Sequence, residues 1–198
     1  MGTVVLDISM SLDGFVTAPD DAPGRGLGTG GEVLHNWVFG GPWSYEDEPV
    51  PHPTGADREV LEDALGVVVS VVGRRVYDIV DGWGGSPPGG GTCVVVTHRV
   101  EDQPDPSTGF VFVDGVEAAL ERAQELAGGS TIAIGGGASV AQQALQAGLV
   151  DELAIHVAPV LLGGGRTLFG TLGAHVPLER LHVVDSPLAT HLRYRVVR

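Results

Sequence analysis

Three consecutive glycines between an apolar run and a helix-forming run are the clearest candidate for chemistry in this sequence. Residues 131–134 read TIAI, which is typical of a buried strand, Gly135, Gly136 and Gly137 follow, and residues 138–145 have helical spacing of apolar positions. Such a turn leaves backbone N–H groups free at the positive end of the helix dipole, and glycine lets an anion approach the chain. The stretch predicts either a pyrophosphate cradle or a tight turn that needs positive φ, and by itself it favours neither.

Polar motifs also follow three other predicted strands. Asp13-Gly14 follows the first strand, residues 73–75 (GRR) follow a valine run, and residues 97–99 (THR) follow TCVVV. Ligands of open α/β sheets bind at the carboxyl ends of the strands. A single arginine is most simply a solvated surface charge, but several arginines at strand ends favour a nucleotide, and bidentate guanidinium contacts suit a ribose 2′-phosphate.

Other catalytic and binding motifs are absent or weak. Residues 26–31 match GxGxxG, but no strand directly precedes them and no acidic residue ends a second strand about 20 residues later, so we interpret them as a flexible loop. GxSxG, HExxH and a metal-spaced histidine cluster are absent, which argues against a hydrolase and predicts no metal site. His35 is expected to be structural or at the surface, and Tyr77 to lie in the core.

Composition limits the possible partners and compartment. The chain has 198 residues, 43% of them hydrophobic, so we expect one domain over residues 1–198. The formal charge of −14 argues against nucleic acid and against an anionic membrane surface. The single cysteine, Cys93, excludes an intrachain disulfide and is expected to pack rather than react. No signal peptide or membrane-length apolar run is evident, so a cytoplasmic location is the natural interpretation.

Strands and helices alternate along the middle of the chain. Periodicity and turn residues predict an α/β sandwich with a mostly parallel sheet and an antiparallel C-terminal hairpin. The predicted strands are residues 3–10, 66–72, 92–97, 110–113, 131–134, 152–162, 178–185 and 191–197. The predicted helices are residues 32–39, 56–65 with Thr54 as its cap, a short one from residue 74, 116–127, and 138–147.

Six motifs in the order SLDGFV, LHNWVFG, GRRVYD, VVVTHR, IAIGGGASVAQQAL and GLVDELAIHVAPVLLGGGRTLF resemble the dihydrofolate-reductase-like superfamily. The resemblance is strongest to stand-alone relatives of the reductase domain of the riboflavin-biosynthesis deaminase–reductase, and it covers nearly the whole chain. It implies a three-layer α/β sandwich.

The resemblance also implies an NADPH site and a substrate site. The pyrophosphate would lie on the turn formed by Gly135, Gly136, Gly137, Ala138 and Ser139. The adenosine 2′-phosphate end would be surrounded by Gly73, Arg74, Arg75, Thr97, His98 and Arg99. Val76 stands where such motifs often carry threonine, so one hydroxyl contact to the cofactor is missing.

On the substrate side, the resemblance implies Gly14, Phe15, Leu34, Trp37 and Phe39 as lining residues. Asp13, or a bound water, is the expected proton donor, and Arg166 or Arg25 is a candidate for a substrate phosphate. Glu32 is the one carboxylate of the helix predicted at 32–39 and lies at its start, which argues against folate as the substrate.

The resulting hypothesis is an NADPH-dependent reductase of the riboflavin-biosynthesis type that transfers hydride to a small heterocyclic or sugar-imine substrate. In the riboflavin branch that it resembles, hydride goes to the ribose carbon of a phosphoribosylamino-pyrimidine. The alternatives are a nucleotide-binding protein without turnover, or a pterin or dihydrofolate reductase.

We also predict a homodimer. The apolar residues 157–162 and the C-terminal hairpin offer more apolar surface than one small sheet face buries. The alternative is that the helix at 138–147 covers this surface within one chain.

Overall fold

A mixed eight-stranded sheet forms the centre of the computed structural model, which describes residues 2–47 and 50–198. The sheet order is β5-β4-β3-β6-β1-β7-β10-β9, and a separate two-stranded ribbon joins β2 and β8. The strands are β1 (Val4–Ser11), β2 (Phe15–Thr17), β3 (Val69–Gly73), β4 (Thr92–Val96), β5 (Phe110–Val113), β6 (Ile132–Gly136), β7 (Glu152–Ala158), β8 (Arg166–Thr167), β9 (Leu178–Asp185) and β10 (Thr190–Val196).

Helices cover both faces of this sheet. They are α1 (Asn36–Phe39), α2 (Ala56–Leu65), α3 (Arg74–Ile79), α4 (Val116–Ala127) and α5 (Ala138–Gln146). α4 and α5 bury their apolar sides against one face, in a core that includes Leu6, Val71, Ile132 and Ile134. On the other face Tyr77 of α3 packs edge-on against Phe110 and Phe112 of β5. The predicted three layers are therefore confirmed.

The strand directions also agree with the prediction. β5, β4, β3, β6, β1 and β7 run parallel, whereas β10 is antiparallel to both β7 and β9. The valine-rich β3 and β4 are central and covered on both faces, as continuous apolar runs require. Cys93 of β4 is fully buried, which raises the pKa of its thiol to about 11 against a weaker opposing hydrogen bond from Ser70.

Several predicted elements differ in their bounds. The helix expected at 32–39 is a 3-10 helix (Gly31–His35) followed by the single turn of α1, and Gly40 ends it in a left-handed conformation. The N-cap of α2 is Gly55 rather than Thr54, without a side-chain capping bond. The strand expected to run to residue 162 ends at Ala158, because Pro159 has no N–H for the ladder.

The glycine stretch also differs from its prediction, in where the strand ends and the turn begins. The strand expected at 131–134 continues through Gly135 and Gly136, since Val72 of β3 pairs with Gly136. The turn is thereby shortened, and α5 begins directly after Gly137. No helix within residues 2–47 and 50–198 is long and apolar enough to cross a membrane.

Candidate functional site

A cleft of about 1000 Å³ lies at the carboxyl ends of β3, β4 and β6. The parallel arrangement of these strands brings together the start of α3, residues 97–99 and the glycine turn. Residues of β2, β8 and the loop between β2 and α1 form the opposite wall. The three motif groups that the sequence predicts at strand ends therefore share one site.

The three glycines of the turn have different roles. A Cβ on Gly135 would meet no atom within 4 Å, so this position faces open space in the cleft. A Cβ on Gly136 would lie 3.3 Å from Val76 Cγ1, so this glycine lets β6 pack against α3. Gly137 has φ +94°, and its Cβ would approach the Gly73 nitrogen to 3.3 Å. The interpretation as a tight turn with positive φ holds at Gly137, whereas Gly135 leaves open space in the cleft.

One group of arginines lies beside β4 and is already paired with carboxylates. Arg74 donates from Nε to Asp78 Oδ1 at 2.7 Å and from Nη2 to Asp102 Oδ2 at 3.1 Å. Arg99 donates to the other Asp78 oxygen at 3.2 Å. Burial would lower the pKa of Arg74, but these carboxylates outweigh it and raise the pKa. Arg74 Nη1 is buried and has no hydrogen-bond partner among the described residues, which leaves one donor for a ligand.

The second group of arginines lies on the other side of the cleft. Arg75 Nε and Arg166 Nε donate to Asp21, at 2.9 Å and 3.1 Å. The Asp21 side chain is only 4% exposed. Burial alone would raise the pKa of Asp21, but hydrogen bonds from Arg75 and Arg166 hold it below its usual range. Asp21 therefore stays ionised and holds two cationic side chains at the mouth of the cleft.

Aromatic side chains line a third part of the cleft. Trp43 packs at a tilt against Phe39 and edge-to-face against Tyr45, with ring centroids 4.5 and 4.7 Å apart. Trp43 Nε1 donates to the Glu32 carbonyl, and the Tyr45 hydroxyl accepts from the Leu27 nitrogen. The wall can pack against a flat heterocycle. The sequence analysis did not predict Trp43 and Tyr45 as site residues. Two aromatic residues close together in a loop bounded by glycine and proline were the feature that could have indicated them.

His35 is a titratable group that lines the cleft. Burial and, after it, the nearby His156 lower its pKa to about 4. The imidazole is therefore neutral at physiological pH. His98, by contrast, is exposed at the rim and pairs with Asp114 at 2.6 Å.

Residues 2–188 match the family described as RibD C-terminal domain. The chain belongs to this family, the reductase domain of RibD. No curated protein sequence matches the chain.

Solved structures agree with this membership. A putative riboflavin biosynthesis protein from Shewanella sp. PV-4 is 23% identical over the full length of both chains, with a TM-score of 0.71. Dihydrofolate reductase from Enterococcus faecalis, complexed with NADP(H), is 18% identical over 98% of this chain and 96% of its own, with a TM-score of 0.63. Acinetobacter baumannii RibD is 18% identical over all of this chain and 59% of its own length, with a TM-score of 0.61. The fold is dihydrofolate-reductase-like.

Within this RibD-type domain, Asp13 lies away from the cleft. Its carboxylate accepts from Ser11 Oγ at 2.6 Å, and from the nitrogens of Leu162 and Gly163 at 3.1 and 2.8 Å. The Ser11 hydrogen bond lowers the pKa of Asp13; burial opposes this, and the backbone bonds from Gly163 and Leu162 add to the lowering. An ionised carboxylate that holds the loop after β7 is a poor proton donor, so the expectation for Asp13 is corrected.

Other substrate-side residues are divided between the cleft and the core. Leu34 is fully buried, and Trp37 is 3% exposed with its Nε1 donating to Ser9 Oγ at 2.9 Å, so both belong to the core rather than the cleft wall. Gly14 and Phe15 lie outside the cleft, although Thr17 of the same hairpin lines it. Of the predicted substrate residues, Phe39 and Arg166 line the cleft. Arg25 pairs with Asp20 at 3.4 Å instead.

The predicted cofactor residues all line the cleft, namely Gly73, Arg74, Arg75, Thr97, His98, Arg99, Gly135, Gly136, Gly137, Ala138 and Ser139. Their subdivision differs from the prediction, because Arg75 joins Asp21 and Arg166 rather than Arg74 and Arg99. The residues fit an anionic dinucleotide on two observations: the open space at Gly135, and the unpartnered buried atoms Arg74 Nη1 and Thr17 Oγ1. Among the residues that the structure describes, no group of His, Cys, Asp and Glu side chains could hold a metal ion.

Proposed function

We propose that this chain is an NADPH-dependent reductase of the riboflavin-biosynthesis type, acting on a phosphoribosylamino-pyrimidine or a closely related sugar imine. The observation that carries the proposal is the junction of the start of α5, the open position at Gly135 and the free donor of Arg74 in one cleft. Free backbone N–H groups and a guanidinium at such a junction suit phosphates. Membership of the RibD reductase family supports the reaction class.

Three parts of the cleft would bind the pyrophosphate, the adenosine 2′-phosphate and the heterocycle of the substrate. The turn at residues 135–139 would hold the pyrophosphate, with Arg74 and Arg99 at the adenosine 2′-phosphate. NADPH, when bound, supplies a hydride. The packed rings of Phe39, Trp43 and Tyr45 would orient a flat heterocycle and exclude water from it.

A test of cofactor choice follows from the carboxylates that already pair with these arginines. Arg99→Gln should weaken NADPH by on the order of 10-fold, as for a lost charge-assisted hydrogen bond, and leave NADH unchanged. Asp78→Asn should tighten NADPH several-fold, because it removes a competitor for both Arg74 and Arg99. Calorimetric titration measures both affinities. Equal affinity of the unmodified protein for NADPH and NADH contradicts the assignment.

A nucleotide-binding protein without turnover is the second candidate. The scarcity of groups in the cleft that could donate a proton favours this candidate. Among the described lining residues the single carboxylate is Asp21, which is bound by two arginines, and the His35 imidazole is neutral. The same observation disfavours a dihydrofolate reductase, as the sequence indicated. NADPH oxidation with ribosylamino-pyrimidine, pterin and flavin probes separates the three.

A further inference from the structure

Four titratable side chains form a continuous hydrogen-bonded array on the α2 side of the sheet. Asp57 Oδ1 of α2 lies 2.8 Å from His191 Nε2, His191 Nδ1 lies 2.8 Å from His156 Nδ1, and His156 Nε2 lies 3.1 Å from Asp7 Oδ1. Three of the side chains are at most 4% exposed, and Asp7 is 20% exposed. Trp37 packs on both imidazoles at 4.5 and 5.0 Å. Neither the fold nor the proposed cofactor site requires this array.

The hydrogen bonds of the array need one more proton than two ionised carboxylates and two neutral imidazoles carry. Three contacts join the four side chains end to end, and each contact needs one hydrogen. Two carboxylates and two neutral imidazoles supply two hydrogens. The third must be on an imidazole, making it an imidazolium, or on one of the two carboxyl groups. Burial lowers the pKa of His191, although Asp57 opposes this. The other end of the array is the contact between His156 and Asp7.

That end of the array borders the cleft through a smaller cavity. This side cavity, of about 220 Å³, is lined by Asp7 and His156 and shares Ser9, His35 and Gly135 with the cleft. It is large enough for several waters between polar groups. The array therefore faces the part of the cleft where His35, neutral at physiological pH, is the nearest acid–base group.

On its opposite side the array borders an outer cavity of about 500 Å³ between α2 and the C-terminal strands. Asp7, His156 and His191 all line this cavity. The other charged or titratable groups that line it are Glu62, Asp63, Glu152, His182 and Arg193, of which Glu152 and Arg193 pair at 2.8 Å. The array thus lies between a cavity connected to the cleft and a cavity with its own titratable lining.

We propose that the Asp57–His191–His156–Asp7 array is the proton source of the reduction, a role that rests on the proposed function. Reduction of a C=N bond adds a hydride to carbon and a proton to nitrogen. The nicotinamide supplies the hydride with both electrons, and the array supplies the proton through the side cavity. A solvent proton from the outer cavity then restores the array. Asp57 and His191 act through His156 as positioning residues.

The stored proton is tested without any substrate. Nitrogen NMR of protein labelled at histidine, with carbon NMR of Asp7 and Asp57, counts the hydrogens at pH 7. Three protonated ring nitrogens on His156 and His191, or two with one protonated carboxyl group on Asp7 or Asp57, are expected. Two protonated nitrogens beside ionised Asp7 and Asp57 would overturn the proposal. In Asp7→Asn the amide can donate to His156 Nε2, so the extra proton should be absent while the hydrogen bond remains.

Delivery of the proton is tested by the pH profile of single-turnover NADPH oxidation with a ribosylamino-pyrimidine probe. Asp7→Asn should slow turnover on the order of 100-fold, the size of a lost general acid, with unchanged NADPH affinity. It should also abolish the fall in rate at high pH that marks loss of the array's proton. His175→Gln changes an exposed histidine that lines neither the cleft nor the two cavities; it is the matched control and should behave like the unmodified protein.

The two possible failures are distinguishable. Unchanged rate and pH profile in Asp7→Asn overturn the proton source while the reductase function stands. Absence of NADPH oxidation in the unmodified protein overturns the proposed function and the delivery step with it, whereas the NMR count still decides whether the array stores a proton.

Discussion

Gly135 is the residue of the glycine turn at which a side chain would enter the cleft. Its Cβ position is open and its φ is not in the left-handed region, so Gly135→Leu should fold with little change in melting temperature. The leucine would occupy space that a pyrophosphate needs, and we expect NADPH affinity to fall at least 10-fold. Calorimetric titration and a melting curve on the same sample measure both effects.

The neighbouring Gly136 provides the contrasting variant. The sequence suggested that a side chain here would also meet the pyrophosphate, but its Cβ points at Val76 of α3. Gly136→Val should therefore lower the free energy of unfolding by about 1–3 kcal/mol through overpacking. A Gly136 variant as stable as the unmodified protein, or a Gly135→Leu variant with unchanged NADPH affinity, would contradict this division of roles.

His35 makes stability depend on pH in the acidic range. Its pKa is about 4 in the folded protein and near 6.5 when unfolded, so the unfolded chain binds more protons between these values. The free energy of unfolding should fall by about 2–3 kcal/mol as pH drops from 6.5 to 4, allowing for partial exposure of the ring. Urea unfolding of His35→Gln should lack this part of the pH dependence; an identical profile in both proteins excludes it.

Among the elements, the loop of residues 18–31 is held over the cleft by one buried carboxylate. Asp21 accepts from Arg75 of α3 and from Arg166 of β8, and so ties the loop to two separate elements. Asp21→Asn should lower the free energy of unfolding by about 1–2 kcal/mol, as for weakened charge-assisted bonds, and speed hydrogen exchange in residues 18–28.

Asp20 is the matched control for this loop. It is 43% exposed and binds Thr29 and Arg25, all within the same loop. Asp20→Asn should change stability and exchange much less, because it links no second element. Equal effects of the two substitutions would show that Asp21 does not tie the loop to the rest of the fold.

At the scale of the whole molecule, β9 is an exposed edge strand with an apolar face. Leu178 and Val183 are 44% and 46% exposed, and they lie opposite Val196 and Leu192 of β10. α5 packs against β6, β3 and α4, and leaves this strand uncovered. We therefore keep the prediction of a homodimer through the C-terminal hairpin.

Light scattering at micromolar concentration tests the homodimer, since one chain has a mass of 20.5 kDa. Val183→Asp should shift the mass to that of one chain, because a carboxylate buried without a partner costs several kcal/mol. Leu126→Asp changes a similarly exposed apolar residue on α4 and should leave the dimer intact. A single-chain mass for the unmodified protein rejects the prediction.

The sequence by itself determined the layers and the position of the cleft. Alternating apolar periods predicted the parallel strands, and strands that run parallel must present their carboxyl ends at one edge. The motifs after β3, β4 and β6 therefore lie at one edge, and they meet because these three strands are adjacent in the sheet. The Gly135–Ser139 turn and the arginine motifs were predictable for this reason, and the family resemblance added the cofactor.

Only the tertiary structure decided which side chains pair across that edge. Arg74 and Arg75 are adjacent in sequence but point to different carboxylates, because successive helical residues project about 100° apart. His191 and Asp57 lie 134 positions apart, and His156 and Asp7 lie 149 apart. Their array depends on β7 lying between β1 and β10, and on Asp7, His156 and His191 facing Asp57 of α2. Neither the order of strands nor the face of a long-range pair is encoded in local periodicity.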